Sequence, residues 1–130
     1  MFRIKLSERE EFLATRIVNA AYAVHKELGP GLLEKIYEIC MAHILQKEGI
    51  KVIRQADLPV KFQEITFKEG LRMDLYVEDC VICEIKAVDI VNPVWQSQIL
   101  SHLKLSGHHV GFLINFNVPL IKDGIRRYTK

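Results

Sequence analysis

The chain has 130 residues, of which 49% are hydrophobic and 26% are charged. A chain of this length buries roughly two-thirds of its unfolded surface, so we expect one domain over residues 1–130 that folds without disulfides or a structural metal. The formal net charge is only +2. This excludes proteins that coat nucleic acid by bulk electrostatics, and any phosphate binding must come from a local cluster of cations.

The composition of the N-terminus and the cysteine count bear on the compartment. Residues 1–12 carry charges every few positions and lack the apolar segment of a secretory signal. The longest apolar runs, such as residues 110–114, reach about a quarter of a membrane span. Three cysteines, an odd number, fit a reducing compartment better than a disulfide framework. We therefore expect a cytoplasmic protein without a membrane segment.

The N-terminal part of the chain has helical periodicity. Ser7 and Glu10 form a capping-box pattern, and apolar residues then recur every three or four positions as far as Leu28. The Gly29-Pro30-Gly31 sequence predicts a tight corner. A second helix is predicted over residues 32–48.

Beyond residue 49 the apolar period becomes that of β-strands. Three or four antiparallel strands are predicted within residues 50–54, 58–66, 71–77 and 81–88. A third helix follows, with Asn92 as its N-cap and Pro93 in its first turn, and it extends to about Ser106. Residues 109–115 return as a strand, and the polar tail has room for one more short element. The order ααββββαβ predicts an α/β or α+β domain with a mixed sheet.

The hairpin of residues 71–87 carries the main chemical signal. Alternation predicts an apolar face and a polar face on its first strand. The apolar face holds Leu71, Met73, Leu75 and Val77, and the polar face holds Arg72, Asp74 and Tyr76. A three-residue loop pairs Val77 with Val81, and the same register places Asp74 opposite Glu84, with Cβ atoms about 5 Å apart. That distance suits one divalent ion.

Two opposed carboxylates repel each other unless a cation lies between them or one is protonated. Oxygen ligands of this kind select Mg²⁺ or Mn²⁺ over zinc, and such an ion keeps waters that can attack a phosphodiester. Lys86 follows Glu84 on the same face, where it could orient that water or stabilise charge on the phosphate. The alternative is an exposed strand face on which acids and bases form a salt-bridge lattice.

Two motifs connect this hairpin to a known family. Asp74, nine intervening residues and then Glu84-Ile85-Lys86 resemble the D…(D/E)XK signature of the PD-(D/E)XK nuclease superfamily. Residues 31–37, GLLEKIY, are similar to the Gly-x-x-Glu-x-x-Tyr motif that names the GxxExxY family within it. Further similar segments extend the resemblance over roughly residues 10–128.

The resemblance implies a restriction-endonuclease-like αβββαβ core, with a mixed central sheet flanked by helices. It implies that Asp74, Glu84 and the carbonyl of Ile85 bind Mg²⁺ or Mn²⁺. Lys86 would be the catalytic lysine, and Glu34 the acidic residue that the helix before the sheet contributes to the catalytic set. The implied activity is phosphodiester hydrolysis of DNA or RNA by a metal-activated water, with nucleic acid as the partner.

Four further residues are candidates for substrate binding. Tyr37 shares a face of the second helix with Glu34, although a tyrosine of that stripe can equally be a core residue. In the third helix the resemblance assigns Gln98 and His102 to substrate contact, but the family pattern has tyrosine at the position of His102. A histidine at a helix–sheet interface is the alternative. Arg72, on the polar face of the hairpin, is a candidate cation for phosphate.

The sequence leaves a second class of function open. A catalytically silent protein of the same fold could bind nucleic acid or a protein partner, and a domain of this size has little chain left for a recognition module. A homodimer is plausible, because so small a nuclease contacts one strand at a time. Trp95, one turn before Gln98, is interpreted as a packing residue in preference to a base-stacking platform.

Overall fold

A computed structural model describes residues 5–130. The first four residues, which belong to the predicted domain 1–130 and to the N-terminal segment 1–12, lie outside this range. Three helices and seven strands follow in chain order. These are α1 (Glu8–Leu28), α2 (Glu34–Lys47), β1 (Val52–Asp57), β2 (Val60–Phe62), β3 (Ile65–Phe67), β4 (Arg72–Val77), β5 (Val81–Lys86), α3 (Val94–Ser106), β6 (Val110–Asn115) and β7 (Ile125–Thr129), with a 3₁₀ turn at Ile121–Asp123.

The central sheet has five strands in the order β1-β4-β5-β6-β7. Only β5 and β6 pair in parallel, and α3 makes the crossover between them. The first two helices pack on one face of the sheet, where Ile17, Met41 and Phe112 belong to the larger core cluster. Helix α3 packs on the other face through Ile99 and Leu103. The predicted fold class, a mixed sheet flanked by helices with an αβββαβ core, is therefore confirmed.

Two predicted helix starts have the expected hydrogen bonds. The Ser7 side chain accepts from the Glu10 amide at 3.0 Å, and Glu10 accepts from the Ser7 amide at 2.8 Å, which completes the capping box. At α3 the cap position is Pro93 and not the predicted Asn92, although the carboxamide oxygen of Asn92 accepts from the amide of Val94, the first residue of the helix, at 3.0 Å. These hydrogen bonds join residues two or three positions apart, so the sequence predicts them without knowledge of the tertiary packing.

The single strand predicted over residues 58–66 is wrong. This segment forms the short hairpin β2–β3, a separate two-stranded sheet. Its turn contains Gln63 with a φ of 51°, a conformation usually signalled by glycine or asparagine, so composition gave no sign of it. The polar tail, for which one more short element was predicted, contains two: the 3₁₀ turn at Ile121–Asp123 and β7, which pairs along β6.

Strand β4 changes face halfway along its length. Leu75 belongs to the cluster under α1 and α2, whereas Met73 belongs to the cluster under α3. The predicted common apolar face of residues 71, 73, 75 and 77 is therefore wrong. Opposite this change, Gln55 of β1 has a φ of 52° and interrupts the pairing between β1 and β4. The change of face therefore falls at Asp74, between Met73 and Leu75.

Glycine at position 111 lets α3 approach the sheet closely. A Cβ atom there would lie 2.8 Å from Cγ1 of Ile82 and 3.2 Å from Cδ1 of Ile99. Both neighbours are fully buried core side chains. The absent side chain therefore determines how near α3 lies to β5 and β6.

Candidate active site

The candidate site lies where the pairing of β4 and β5 ends. Val77 pairs with Val81 and Leu75 with Cys83, as the three-residue loop predicted. The ladder goes no further, although the same register would place Asp74 opposite Glu84. Side chains replace it, because Asp74 Oδ2 accepts from the Ile85 amide at 2.8 Å and Glu84 Oε1 accepts from the Asp74 amide at 3.3 Å. Each carboxylate thus binds the backbone of the opposite strand.

The electrostatics of this pair are unfavourable when both groups are charged. Burial and then the negative charge of Asp74 raise the pKa of Glu84 from 4.5 to about 8. The Asp74 amide and Lys86 act in the opposite direction, while Glu34 adds to the increase. At neutral pH Glu84 therefore holds a proton unless a cation takes its place.

A hydrogen-bond network of one buried side chain and two exposed ones supports Asp74 from the β1 side. The Nε2 group of Gln55 donates to Asp74 Oδ1 at 3.1 Å and to Glu38 Oε1 at 2.7 Å. Arg54 Nε donates to the other oxygen of Glu38 at 2.8 Å. Glu38 is only 5% exposed. Sequence reasoning missed these three residues; the one available signal was that Glu38 follows Glu34 by one helical turn.

Lys86 ends β5 with its ammonium over the ring of Trp95, 4.4 Å from the ring centroid. Such cation–π contacts contribute about 0.5–1 kcal/mol at partly exposed sites. Within residues 5–130 the ammonium forms no ion pair. The interpretation of Trp95 as a packing residue overlooked this contact with the candidate catalytic lysine.

Asn115 holds the chain that leaves β5 just after Lys86. Its side chain accepts from the Val88 amide and donates to the Val88 carbonyl, both at 3.0 Å. The asparagine is itself buried and is the register partner of Lys86 in β6. These two hydrogen bonds from Asn115 therefore fix the backbone at Val88, just after Lys86.

Glu34 is the first residue of α2. Its charge contributes to the raised pKa of Glu84. However, residues 5–130 contain no cluster of three or more His, Cys, Asp or Glu side chains placed to hold one ion. Glu34 therefore affects the acidic pair through its charge without completing a three-carboxylate cage.

Tyr37 does not lie where a substrate contact would require it. The side chain is fully buried, and its ring stacks on Phe116 with centroids 4.5 Å apart. Its hydroxyl donates to the Gly29 carbonyl at 2.6 Å and accepts from the Leu32 amide at 3.1 Å. The expectation of substrate binding by Tyr37 is thus corrected: the residue holds the corner before α2 and so positions the helix start that carries Glu34.

The family of the chain follows from comparison with protein-family profiles. The profile of the PD-(D/E)XK nuclease superfamily matches residues 11–128, a range that includes Asp74, Glu84 and Lys86. The chain belongs to the PD-(D/E)XK nuclease superfamily. No curated protein and no solved structure matches it.

Nucleases of the PD-(D/E)XK superfamily typically use divalent metals, and the donor atoms here fit such an ion. Asp74 and Glu84 supply hard oxygen ligands, and burial followed by the negative charge of Asp74 raises the pKa of Glu84 to about 8. Two carboxylates suit an ion of the Mg²⁺ type, which keeps several waters and needs no all-protein cage. The fit is therefore to a hydrated cation.

The other predicted substrate residues of this PD-(D/E)XK domain lie on α3 and at the start of β4. Gln98 and His102 line a groove of about 390 Å³ between α3 and the β2–β3 hairpin. Burial lowers the pKa of His102, and its Nδ1 is buried with no hydrogen-bond partner among the described residues. Arg72 is exposed and pairs with Asp57 at 3.0 Å.

No helix within residues 5–130 is long and apolar enough to span a bilayer.

Proposed function

We propose that this protein is a metal-dependent nuclease that hydrolyses phosphodiester bonds of DNA or RNA. The observation that carries the proposal is the acidic pair at the open end of the β4–β5 hairpin. Burial beside Asp74 raises the pKa of Glu84 to about 8, and the ammonium of Lys86 follows on the same strand without an ion pair among the described residues. Two carboxylates placed this close together lower the stability of the fold, and a hairpin with a purely structural role would gain nothing from them.

Each residue of the proposed site has a distinct task. Asp74, Glu84 and the Ile85 carbonyl would hold Mg²⁺ or Mn²⁺. When bound, such an ion polarises the phosphate and lowers the pKa of a coordinated water. Lys86 orients the attacking water and stabilises charge that develops on the phosphate. The negative charge of Glu34 raises the pKa of Glu84 further and would therefore favour binding of a cation by the pair.

The groove along α3 is the proposed path of the nucleic acid. Its apolar floor includes Phe67 and Leu71, while Gln98 and His102 offer hydrogen-bonding groups. This combination suits a base and its edge. Arg72 and Lys68 line an adjacent depression, where cations could contact the phosphates.

The remaining parts of the proposal concern the chain as a whole. Gly31, Glu34 and Tyr37 match the GxxExxY spacing, which supports membership of that family within the superfamily. We also propose that residues 1–130 form one nuclease domain, that the protein acts in the cytoplasm, and that two copies cooperate to cut both strands of a duplex.

A cleavage assay with single- and double-stranded DNA and RNA tests the proposed activity. In Mg²⁺ or Mn²⁺ we expect cleavage that chelation by EDTA abolishes and that Glu84→Ala and Lys86→Ala each lower about 100-fold or more. Glu27→Ala and Lys26→Ala remove exposed charges on α1, which packs on the face of the sheet opposite α3, and should leave the rate unchanged.

Two outcomes would contradict this proposal. Cleavage that survives both site substitutions would show that the activity resides elsewhere or in a contaminant. Folded wild-type protein that binds nucleic acid without cutting it, and that takes up no Mn²⁺ in calorimetry, would favour the catalytically silent binding protein instead.

A further inference from the structure

Gln55 adopts a backbone conformation that glutamine rarely takes. Its φ of 52° lies in the left-handed region, where a residue with a Cβ atom is less stable than glycine. The position lies in the middle of β1, opposite Asp74, between the registered pairs Arg54–Leu75 and Ala56–Met73. The backbone alone would favour glycine here, so the side chain is retained at an energetic cost.

The side chain of Gln55 joins two carboxylates. A carboxamide nitrogen has two hydrogens, and here one faces Glu38 Oε1 at 2.7 Å and the other faces Asp74 Oδ1 at 3.1 Å. Glu38 is itself fixed, because it is buried and its second oxygen accepts from Arg54 Nε at 2.8 Å. Gln55, itself exposed, is therefore anchored on the buried carboxylate of Glu38 and reaches from it to Asp74.

The contacts from the two neighbouring strands fix both oxygens of Asp74. Oδ1 accepts from Gln55 in β1, and Oδ2 accepts from the Ile85 amide in β5. Each carboxylate oxygen has two acceptor positions, so each keeps one for a cation after these hydrogen bonds are made. The geometry orients the carboxylate without using up its capacity to bind an ion.

We propose that Gln55 is a positioning residue that holds the carboxylate of Asp74 in the orientation required for divalent-cation binding, with Glu38 and Arg54 as its anchor. This inference rests on the proposed metal-dependent function and deepens it. Hydrogen-bond partners of this kind set the orientation of a ligand and commonly change metal affinity by about 10–100-fold. Gln55 touches neither the ion nor the substrate.

The decisive variant is Gln55→Gly, because glycine removes the side chain and relieves the backbone at the same time. We expect Mn²⁺ affinity, measured by titration calorimetry, to fall about tenfold or more. The melting temperature of the metal-free protein should stay the same or rise, because the left-handed conformation suits glycine. If Gln55 had a merely structural role, its loss would not lower Mn²⁺ affinity while leaving the melting temperature unchanged or higher.

Gln63→Gly is the matched control. Gln63 also has a positive φ, of 51°, but it lies in the exposed turn between β2 and β3. This variant should gain the same backbone relief and keep Mn²⁺ affinity within about twofold, in contrast to the loss expected from the orienting contact. A similar loss of affinity in both variants would overturn the inference.

A second variant keeps the test decisive if the glycine protein does not fold. Gln55→Met preserves the length of the side chain but has no hydrogen to donate, and it should show the same loss of affinity. Wild-type affinity in either folded variant would overturn the positioning role while leaving the proposed nuclease intact. Absence of any Asp74-dependent Mn²⁺ site in the wild type would instead overturn the proposed function, and the positioning role with it.

Discussion

The β4–β5 hairpin has two ends that differ in what holds the strands together. At the closed end, next to the loop, residues 75–77 pair with residues 81–83 in a regular ladder. At the open end, residues 72–74 and 84–86 have no such ladder, and two carboxylates bind the backbone of the opposite strand. Leu75 and Cys83 at the closed end are fully buried apolar side chains. The closed end therefore stabilises the fold through pairing and burial. The open end lacks β-ladder pairing between the two strands and carries the acidic side chains instead.

The largest effect on stability should come from a substitution at the closed end. Leu75 is fully buried in the larger core cluster, so Leu75→Ala should lower the free energy of unfolding by about 2–5 kcal/mol. Chemical denaturation measures this change. Asp74→Asn, one residue away at the open end, should leave stability nearly unchanged or increase it while abolishing Mn²⁺ binding; an equal loss of stability in both variants would erase the distinction between the two ends.

The pH dependence of stability should report the open end. The pKa of Glu84 is about 8 in the folded protein against 4.5 for an unperturbed carboxyl. Between these values the folded protein keeps a proton that the unfolded chain releases, so the stability of the metal-free protein should fall as pH rises from about 4.5 to about 8 and then level off. The total decrease should be on the order of a few kcal/mol.

Glu84→Gln should remove most of this slope, because glutamine has no proton to lose. Denaturation at pH 5 and pH 8 measures it, with the exposed Glu27→Gln as control. Mn²⁺ should bind more tightly as pH rises towards 8, because the ion displaces the same proton. A Glu84→Gln protein with the wild-type slope would show that another group causes the pH dependence.

Tyr37 provides a smaller, purely structural effect. Tyr37→Phe keeps the stacking on Phe116 but removes the hydroxyl that joins Gly29 to Leu32. We expect a loss of about 1–2 kcal/mol in unfolding free energy. Mn²⁺ affinity should be nearly unchanged. A selective loss of nucleic-acid binding, without a change in stability, would restore the role in substrate contact that was first expected of this residue.

Trp95 should give the smallest effect on stability. Trp95→Leu removes the ring under Lys86 and should cost about 0.5–1 kcal/mol in cation–π energy. If the ring helps to place the lysine, the cleavage rate should fall while Mn²⁺ affinity stays constant. Single-turnover kinetics and calorimetry on the same preparation measure the two quantities. A change in Mn²⁺ affinity would mean that the ring acts on the carboxylates as well.

Local signals account for the parts of the fold and site that could be predicted. The capping box at Ser7, the hydrogen bond from the Val94 amide to Asn92 and the three-residue hairpin loop all depend on residues a few positions apart, and the loop length set the pairing of Val77 with Val81. The β2–β3 turn was missed because Gln63 gives no compositional sign of a positive φ. The face change at Asp74 was missed because alternation assumes a strand of constant twist.

By itself, the sequence determined the order of the three helices, the fold class and the spacing that brings Asp74 and Glu84 to one end of a hairpin, because periodicity and loop length act over short stretches of chain. Only the tertiary structure decided what surrounds them. Glu38, Gln55 and Asp74 come from a helix and two strands, and their hydrogen bonds depend on how α2 packs against β1 and β4. Contacts between distant segments leave no periodic pattern in the chain, because they arise when separate elements pack together.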